Sequence, residues 1–414
     1  MGSRPDAPLT PNAGCLYKDP MAESRPFVGL LYDEAVAGPI ESLTSPPYDV
    51  ISPRERDRLY RAGSYNVVRL ILGRDHPAGL GRGDKYAKAA SLLRSWRDQG
   101  ALKPTAEPST YPYEMDFRLG GARRRVRGVI LEVDLEPWGG SIVPHERTMP
   151  GPVRDRLALL RSVRANLSPV YAVLTGQSRS EPFGSLLDRA TAHPPAMDLA
   201  DESGTRHRMW VVPGPQDEVS QALREDRLLI ADGHHRYSVA LAYRDEMQAR
   251  AGPGPWDAMM MFVVDAAAED PPVLPIHRVL VHGGQPQPTG ERVVDLAEIL
   301  ATVDDDDLTY GVVAMEDGEI AHRVATLSGP PPTVCALHEE LLDRLPGAAL
   351  RFIPDAAVAE AEVHAGSGSA AFILPATKVD RVWNLVQAGG TLPQKSTYFW
   401  PKPRTGVVFR PLET

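Results

Sequence analysis

Leu228-Leu229-Ile230-Ala231-Asp232-Gly233-His234-His235-Arg236-Tyr237 joins an apolar run to a carboxylate, a glycine, two imidazoles and a guanidinium. The apolar half reads as a strand. The residues from its end onward, Tyr237-Ser238-Val239-Ala240-Leu241-Ala242-Tyr243, read as a helix. Gly233 lets the backbone turn where a side chain would clash. A strand, a polar glycine turn and a helix in succession can hold an anion, because N–H groups at the helix start point at the ligand. The same turn aims Asp232 and the histidines from the end of a rigid strand. Helix capping alone would need Asp232 but not the three polar residues after Gly233. The run therefore reads as chemistry. Asp232 would hold a metal ion or accept a proton, while His234, His235 and Arg236 contact phosphoryl oxygens. Arginine suits such oxygens because its planar fork binds two at once.

Other polar blocks surround this one in the sequence. His145-Glu146-Arg147-Thr148 is a loop in which Glu146 is a candidate general base or metal ligand, with His145 and Arg147 beside it. It is not the zinc pattern HExxH, since Met149-Pro150 follow and no second histidine completes it. Near the C-terminus, Gln394 to Lys402 gathers cations, hydroxyls and aromatics. Lys395, Ser396, Thr397 and Lys402 suit a polyphosphate carrying Mg2+, although Gly389-Gly390 do not make a P-loop. Pro46-Pro47-Tyr48-Asp49 is a rigid loop that can shape a pocket with Tyr48 and Asp49. The segment from Asn66 adds Arg69, and Pro275-Ile276-His277-Arg278 adds His277 and Arg278. Each block also has a plainer reading as a capped helix, a solvated loop or a turn. Met259-Met260-Met261-Phe262 reads as core.

Length and composition bound the rest. A chain of 414 residues is long enough for two or three domains of about 150 residues each. The expected division is a disordered tail over 1–25, a catalytic region over 26–280 and a C-terminal α+β region over 281–414 that sends the Lys395 block to the site. A net charge of −9 weighs against a general nucleic-acid binder. Forty prolines, about twice the usual share of roughly 5%, imply many fixed turns and long loops. The two cysteines, Cys15 and Cys335, fit a reducing cytoplasm rather than a disulfide framework. No run of about 18 apolar residues marks a membrane span, and the N-terminus lacks the layout of a signal peptide.

The local patterns predict a mixed α+β fold. Strands are expected over Phe27–Tyr32, Val67–Leu72, Val170–Leu174, Arg227–Ile230 and Met259–Val264. Ser52 caps a helix from Pro53. Tyr86–Gln99 is an amphipathic helix, with Ala89, Leu92, Leu93 and Trp96 at helical spacing. Residues 110–135 form a hairpin that turns at Gly120-Gly121. Beyond residue 290 the chain reads as helix-rich and acidic.

Several blocks in one order resemble the DUF1015 proteins, a bacterial and archaeal family. They are Pro47 to Ile51, Asn66 to Leu70, Pro144 to Thr148, Asp155-Arg156-Leu157 with Asn166 to Pro169, Ile230 to Tyr237, Leu274 to Arg278, and Pro393 to Lys402 with Thr405-Gly406. The resemblance runs from about Phe27 to Leu412. The Asp232-Gly233-His234-His235-Arg236 element is similar to that of free-serine kinases built on the ParB/sulfiredoxin-like fold. This implies an α+β, mixed α/β chain with a ParB/sulfiredoxin-like core, long insertions and a C-terminal extension.

The implied reaction is phosphoryl transfer to the hydroxyl of a free amino acid, L-serine to O-phosphoserine. Asp232, His234, His235 and Arg236 would sit at the phosphoryl site. The glutamate base of those kinases has Glu146 as its candidate here, with Glu41 a weaker one. The donor stays open between ATP, ADP and inorganic pyrophosphate or polyphosphate, with Mg2+ bridging donor oxygens and Asp232 or Glu146. A metal-dependent phosphatase of a small phosphorylated metabolite and a nucleotide-binding regulator also stay open. The expected partners are small molecules, with neither nucleic acid nor membrane, and there is room for a homodimer.

Overall fold

A computed structural model describes residues 22–74, 84–146, 150–175, 181–283 and 289–413. The fold is mixed α/β, as the sequence leads one to expect. Its larger sheet contains β1 (Ser109–Leu119), β2 (Ala122–Asp134), β3 (Ile142–Val143), β4 (Val170–Leu174), β5 (Met197–Ala200), β6 (Arg206–Met209), β7 (Leu228–Asp232) and β8 (Ala258–Asp265). The spatial order is β3-β7-β4-β8-β2-β1-β6-β5. β1 and β2 form the expected hairpin. Gly120 and Gly121, at φ 57° and 82°, adopt the left-handed conformations that a tight hairpin turn of matching twist requires.

β7 lies near one edge of this sheet, parallel to β3 and antiparallel to β4. Leu228, Leu229 and Ile230 are fully buried, so the strand is anchored along its length and only its end reaches polar surroundings. Helices α1 (Pro150–Val163) and α2 (His234–Ala251) pack against each other beside it. The other face of the sheet belongs to a core that continues through Val273 and Phe399 to Phe372 and Leu337 in the C-terminal half.

That half departs from the sequence reading. It is built on an antiparallel sheet of β9 (His277–His282), β10 (Glu291–Val293), β11 (Thr309–Glu316), β12 (Glu319–Thr326), β13 (Ala349–Ile353) and β14 (Ala370–Ile373). The order is β10-β12-β11-β14-β9-β13. Short helices alternate with these strands, which is what the helical reading picked up. In β12 only Ala321 and Ala325 are buried, so the strand shows little apolar alternation. The acidic run contributes turns: Asp304 Oδ1 accepts the N–H groups of Asp306 and Asp307.

Val67–Leu72 is a second correction. Val68–Ile71 is a short helix, not a strand. Asn66 Oδ1 accepts the Val68 N–H at 2.9 Å, and the Asn66 side-chain amide donates to the carbonyls of Ser42 and Thr44. This local cap overrides the strand preference of the valines.

The final segment returns to the first sheet's surroundings. Thr397–Phe399 pairs antiparallel with Val273–Pro275, placing Thr397 opposite Pro275. Arg410–Pro411 pairs with Ala165–Asn166. The Arg410 guanidinium is buried among Glu132, Asn166 and the Ala258 carbonyl, so the end of the chain is locked into the sheet it left.

Candidate functional site

Asp232 ends β7, Gly233 turns the chain at φ 104°, and α2 begins at His234. A side chain at 233 would place its Cβ 3.0 Å from the Arg236 guanidinium, so glycine is needed for space as well as for conformation. Asp232 Oδ1 receives Lys402 Nζ at 2.5 Å, and Oδ2 receives Arg236 Nη2. Lys402 also reaches Asp49 Oδ2 at 3.2 Å. Arg236 continues to Ser168 Oγ at 3.2 Å and to the Pro169 carbonyl. Burial pushes the Asp232 carboxyl up, but the Lys402 and Arg236 charges outweigh it and hold the group well below the usual carboxylate range. Burial works against the Lys402 charge too, and Asp232 with Asp49 more than offsets it. Arg236 Nε is buried and finds no hydrogen-bond partner among the described residues.

A second polar group lies beside the first. Leu392 N–H donates to the His145 carbonyl at 2.9 Å, which ties the 145 loop to the C-terminal segment. Glu146 Oε2 accepts the Lys395 N–H at 3.0 Å, and Oε1 lies 3.7 Å from His234 Nδ1. His234 Nε2 accepts the His145 N–H at 3.4 Å, which leaves the proton of a neutral ring on Nδ1, facing Glu146. His145 Nδ1 meets the Ile230 carbonyl at 2.7 Å, and Nε2 meets Thr397 Oγ1 at 2.6 Å. The two imidazoles touch edge to face at 4.6 Å, and Trp138 stacks over His234. Burial lowers the pKa of both rings, of His234 strongly. His235 is half-buried, and burial lowers its pKa as well. It lies in the field of Glu146, Lys395, Asp49 and Asp232, so it stands between the two groups.

The structure thus brings Tyr48, Asp49, His145, Glu146, Asp232, His234, His235, Arg236, Lys395, Thr397 and Lys402 into one neighbourhood. Arg147 lies outside the described residues. The remaining candidates have supporting roles. Arg69 is held by the Gly63 and Tyr60 carbonyls and lies over the Tyr60 ring, fastening the preceding helix. His277 is buried, accepts the Leu374 N–H on Nδ1 and is pushed down to about 4 by burial. Arg278 is fully buried, and burial brings its guanidinium down to about 10. It donates to the Lys395 carbonyl at 2.9 Å, to Ser396 Oγ and to His338 Nε2. Ser396 Oγ donates to the Pro393 carbonyl at 2.5 Å. Arg278 and Ser396 therefore shape the turn that presents Lys395, which stands in the left-handed region at φ 57°.

Three residues escaped the sequence reading. The Arg156 guanidinium lies 4.4 Å above the Tyr48 ring. With Ser168 and Arg236 it borders a pocket floored by Leu159, Leu167 and Met259. Trp138 completes the list. Arg156 and Ser168 fall in blocks already noted, but nothing local marks Arg156 as covering Tyr48 or Ser168 as accepting from Arg236.

Magnesium fits part of this arrangement poorly. It demands near-ideal octahedral oxygen ligands, and both Asp232 oxygens are already engaged by cations. Among the described residues no group of three or more His, Cys, Asp or Glu side chains is placed to hold a metal ion. Asp232 does not suit the expected role of metal ligand here.

Fold and site together define a mixed α/β protein with a cluster of cations and carboxylates at a strand end. The chain belongs to the DUF1015 family, whose profile, described as a protein of unknown function, matches residues 25–331. Among solved structures it is similar to a free serine kinase in complex with AMP, at 14% identity and TM-score 0.34, over 62% of this chain and 83% of that one. A conserved hypothetical protein from Pyrococcus furiosus matches at 14% and 0.32, over 62% and 86%. SbnI with a C-terminal truncation, from Staphylococcus aureus, matches at 10% and 0.35, over 66% and 84%. No curated protein matches. No helix among the described residues is long and apolar enough to cross a membrane.

Proposed function

We propose that this protein transfers a phosphoryl group to the hydroxyl of a free amino acid, with L-serine the favoured acceptor. One observation carries the reading: Lys402 and Arg236 converge on Asp232 while Glu146 holds the Lys395 turn beside them. Phosphoryl transfer asks mainly for positioning and charge neutralisation, and this cleft offers both.

Asp232 and Glu146 take different roles. A carboxylate held ionised by two cations, with both oxygens engaged, is a poor proton acceptor. Asp232 is then a positioning residue that fixes Lys402 and Arg236. Among the described residues Glu146 accepts a backbone N–H through Oε2 and faces an imidazole with Oε1, with no cation paired to it as Asp232 has, so it is the better base for the acceptor hydroxyl. His235 and Lys395, beside Glu146 and Asp232, are the donors for polyphosphate oxygens in this reading. No step is routed through Mg2+, because Asp232 does not suit it.

The test is an assay of the purified protein against free amino acids, with ATP, ADP and pyrophosphate as separate donors, followed by ³¹P NMR. O-phosphoserine is the expected product. No transfer to any amino acid from any of the three overturns the reading. Release of phosphate from O-phosphoserine without a donor replaces it with a hydrolase.

A further inference from the structure

The hydroxyl best prepared for attack in this cleft belongs to the protein itself. The Ile230 carbonyl can only accept, so His145 Nδ1 carries the ring proton. Nε2 then bears the lone pair, and the hydroxyl 2.6 Å away, Thr397 Oγ1, donates to it. A hydroxyl bonded to an imidazole whose far nitrogen is fixed by a third group is the arrangement of an activated nucleophile.

The surroundings extend this. Thr397 is half-buried, two residues after exposed Lys395 and five before Lys402. His145 is fully buried, and burial lowers its pKa; Glu146, the Ile230 carbonyl and Asp232 offset that only in part, so the ring rests neutral with Nε2 open to a proton. The mechanism proposed for the free acceptor leaves both Thr397 and His145 Nε2 unused.

We propose that Thr397 is itself a phosphoryl acceptor, with His145 as its base. The proposal rests on the reading that a polyphosphate donor occupies this cleft. Thr397 Oγ1 attacks the donor's terminal phosphorus, and a new O–P bond forms. The bond from that phosphorus to its bridging oxygen breaks, and the shortened polyphosphate leaves with the electron pair. The Thr397 proton moves to His145 Nε2. The product is phosphothreonine, beside Lys395.

The experiment incubates the full chain with ATP, ADP or pyrophosphate in separate reactions that also contain L-serine. Intact mass and tandem mass spectrometry of peptides are read alongside O-phosphoserine formation. The expected result is a mass gain of one phosphoryl group mapped to Thr397, lost in Thr397→Val and kept in Thr397→Ser. Mapping in the unaltered protein guards against a Thr397→Val variant that folds poorly. O-phosphoserine formed with no phosphothreonine overturns this inference and leaves the kinase reading standing. Label mapped to another residue, or persisting in Thr397→Val, also overturns it. Neither label nor O-phosphoserine from any donor overturns both.

Discussion

Lys402 Nζ lies 2.5 Å from Asp232 Oδ1, a contact between residues 170 positions apart. The same ammonium reaches Asp49 at 3.2 Å, so one cation gathers loops from the start, middle and end of the chain. Arg236 closes the cluster from the other side of Asp232. A buried ion pair gains little over an apolar one, because desolvation opposes the attraction, but breaking it strands a charge. The cluster is therefore better understood as a device that fixes geometry than as a source of stability.

Lys402→Met should test that view. It leaves Asp232 with Arg236 alone, and stability measured by urea unfolding should fall by about 3–5 kcal/mol. With Lys402 gone, Asp49 and Asp232 are left with one arginine, Arg236 on Asp232; adding Asp232→Asn removes that excess negative charge, so the double variant should recover part of the loss. A double variant no more stable than Lys402→Met alone would show that the penalty has another origin.

Gly233→Ala meets two obstacles. The φ of 104° is one that L side chains rarely adopt, and the new Cβ would lie 3.0 Å from the Arg236 guanidinium. The backbone term alone costs about 1–2 kcal/mol. Displacing Arg236 should also weaken donor binding, so the donor KM is expected to rise by roughly tenfold, the equivalent of 1.4 kcal/mol. Steady-state kinetics with unchanged donor KM would detach Arg236 from the donor.

Much of this site could be read from the chain before any coordinates. Apolar Leu228 to Ile230 followed by Gly233 announces a strand, a turn and a helix, and the helix is there, although it begins at His234 rather than at Tyr237, where the helical pattern starts. What stays hidden is partnership. Nothing near Lys402 in sequence names Asp232, and nothing near Arg278 shows that its guanidinium is fully buried under the Lys395 turn. Arg278 reads as a ligand because it sets a guanidinium beside the His277 imidazole in a polar block, but only packing separates an inward guanidinium from an exposed one. The extent of the second sheet stays hidden for a similar reason: an α+β C-terminal region is expected, but alternation in β12 is too weak to outweigh the helical segments around it.

Acid should weaken the fold in a window set by buried imidazoles. Burial lowers the pKa of His145, His207, His234 and His277 in the native state. The unfolded chain takes up protons there below about pH 6.5, while the native state stays neutral. Stability therefore declines as pH falls from about 6.5, with His277 contributing until about pH 4. Each such group adds up to about 1.4 kcal/mol per pH unit. Urea midpoints at pH 7.5 and pH 5 measure this. His277→Asn should flatten the slope, and equal midpoints at both pH values would refute the account.

Glu146→Gln and Asp232→Asn separate a base from a positioning residue. Glutamine keeps an oxygen for the Lys395 N–H but cannot take a proton, so turnover should fall by about 10²–10⁴-fold with donor binding little changed. Asparagine at 232 keeps the shape of the strand end but releases the hold on Lys402 and Arg236. Its expected effect is on donor KM first, with a smaller loss of kcat. The reverse pattern, kcat lost in Asp232→Asn and spared in Glu146→Gln, would move the proton transfer to Asp232. That outcome would require Lys402 or Arg236 to leave the carboxylate when substrates bind, because the two cations otherwise hold Asp232 ionised.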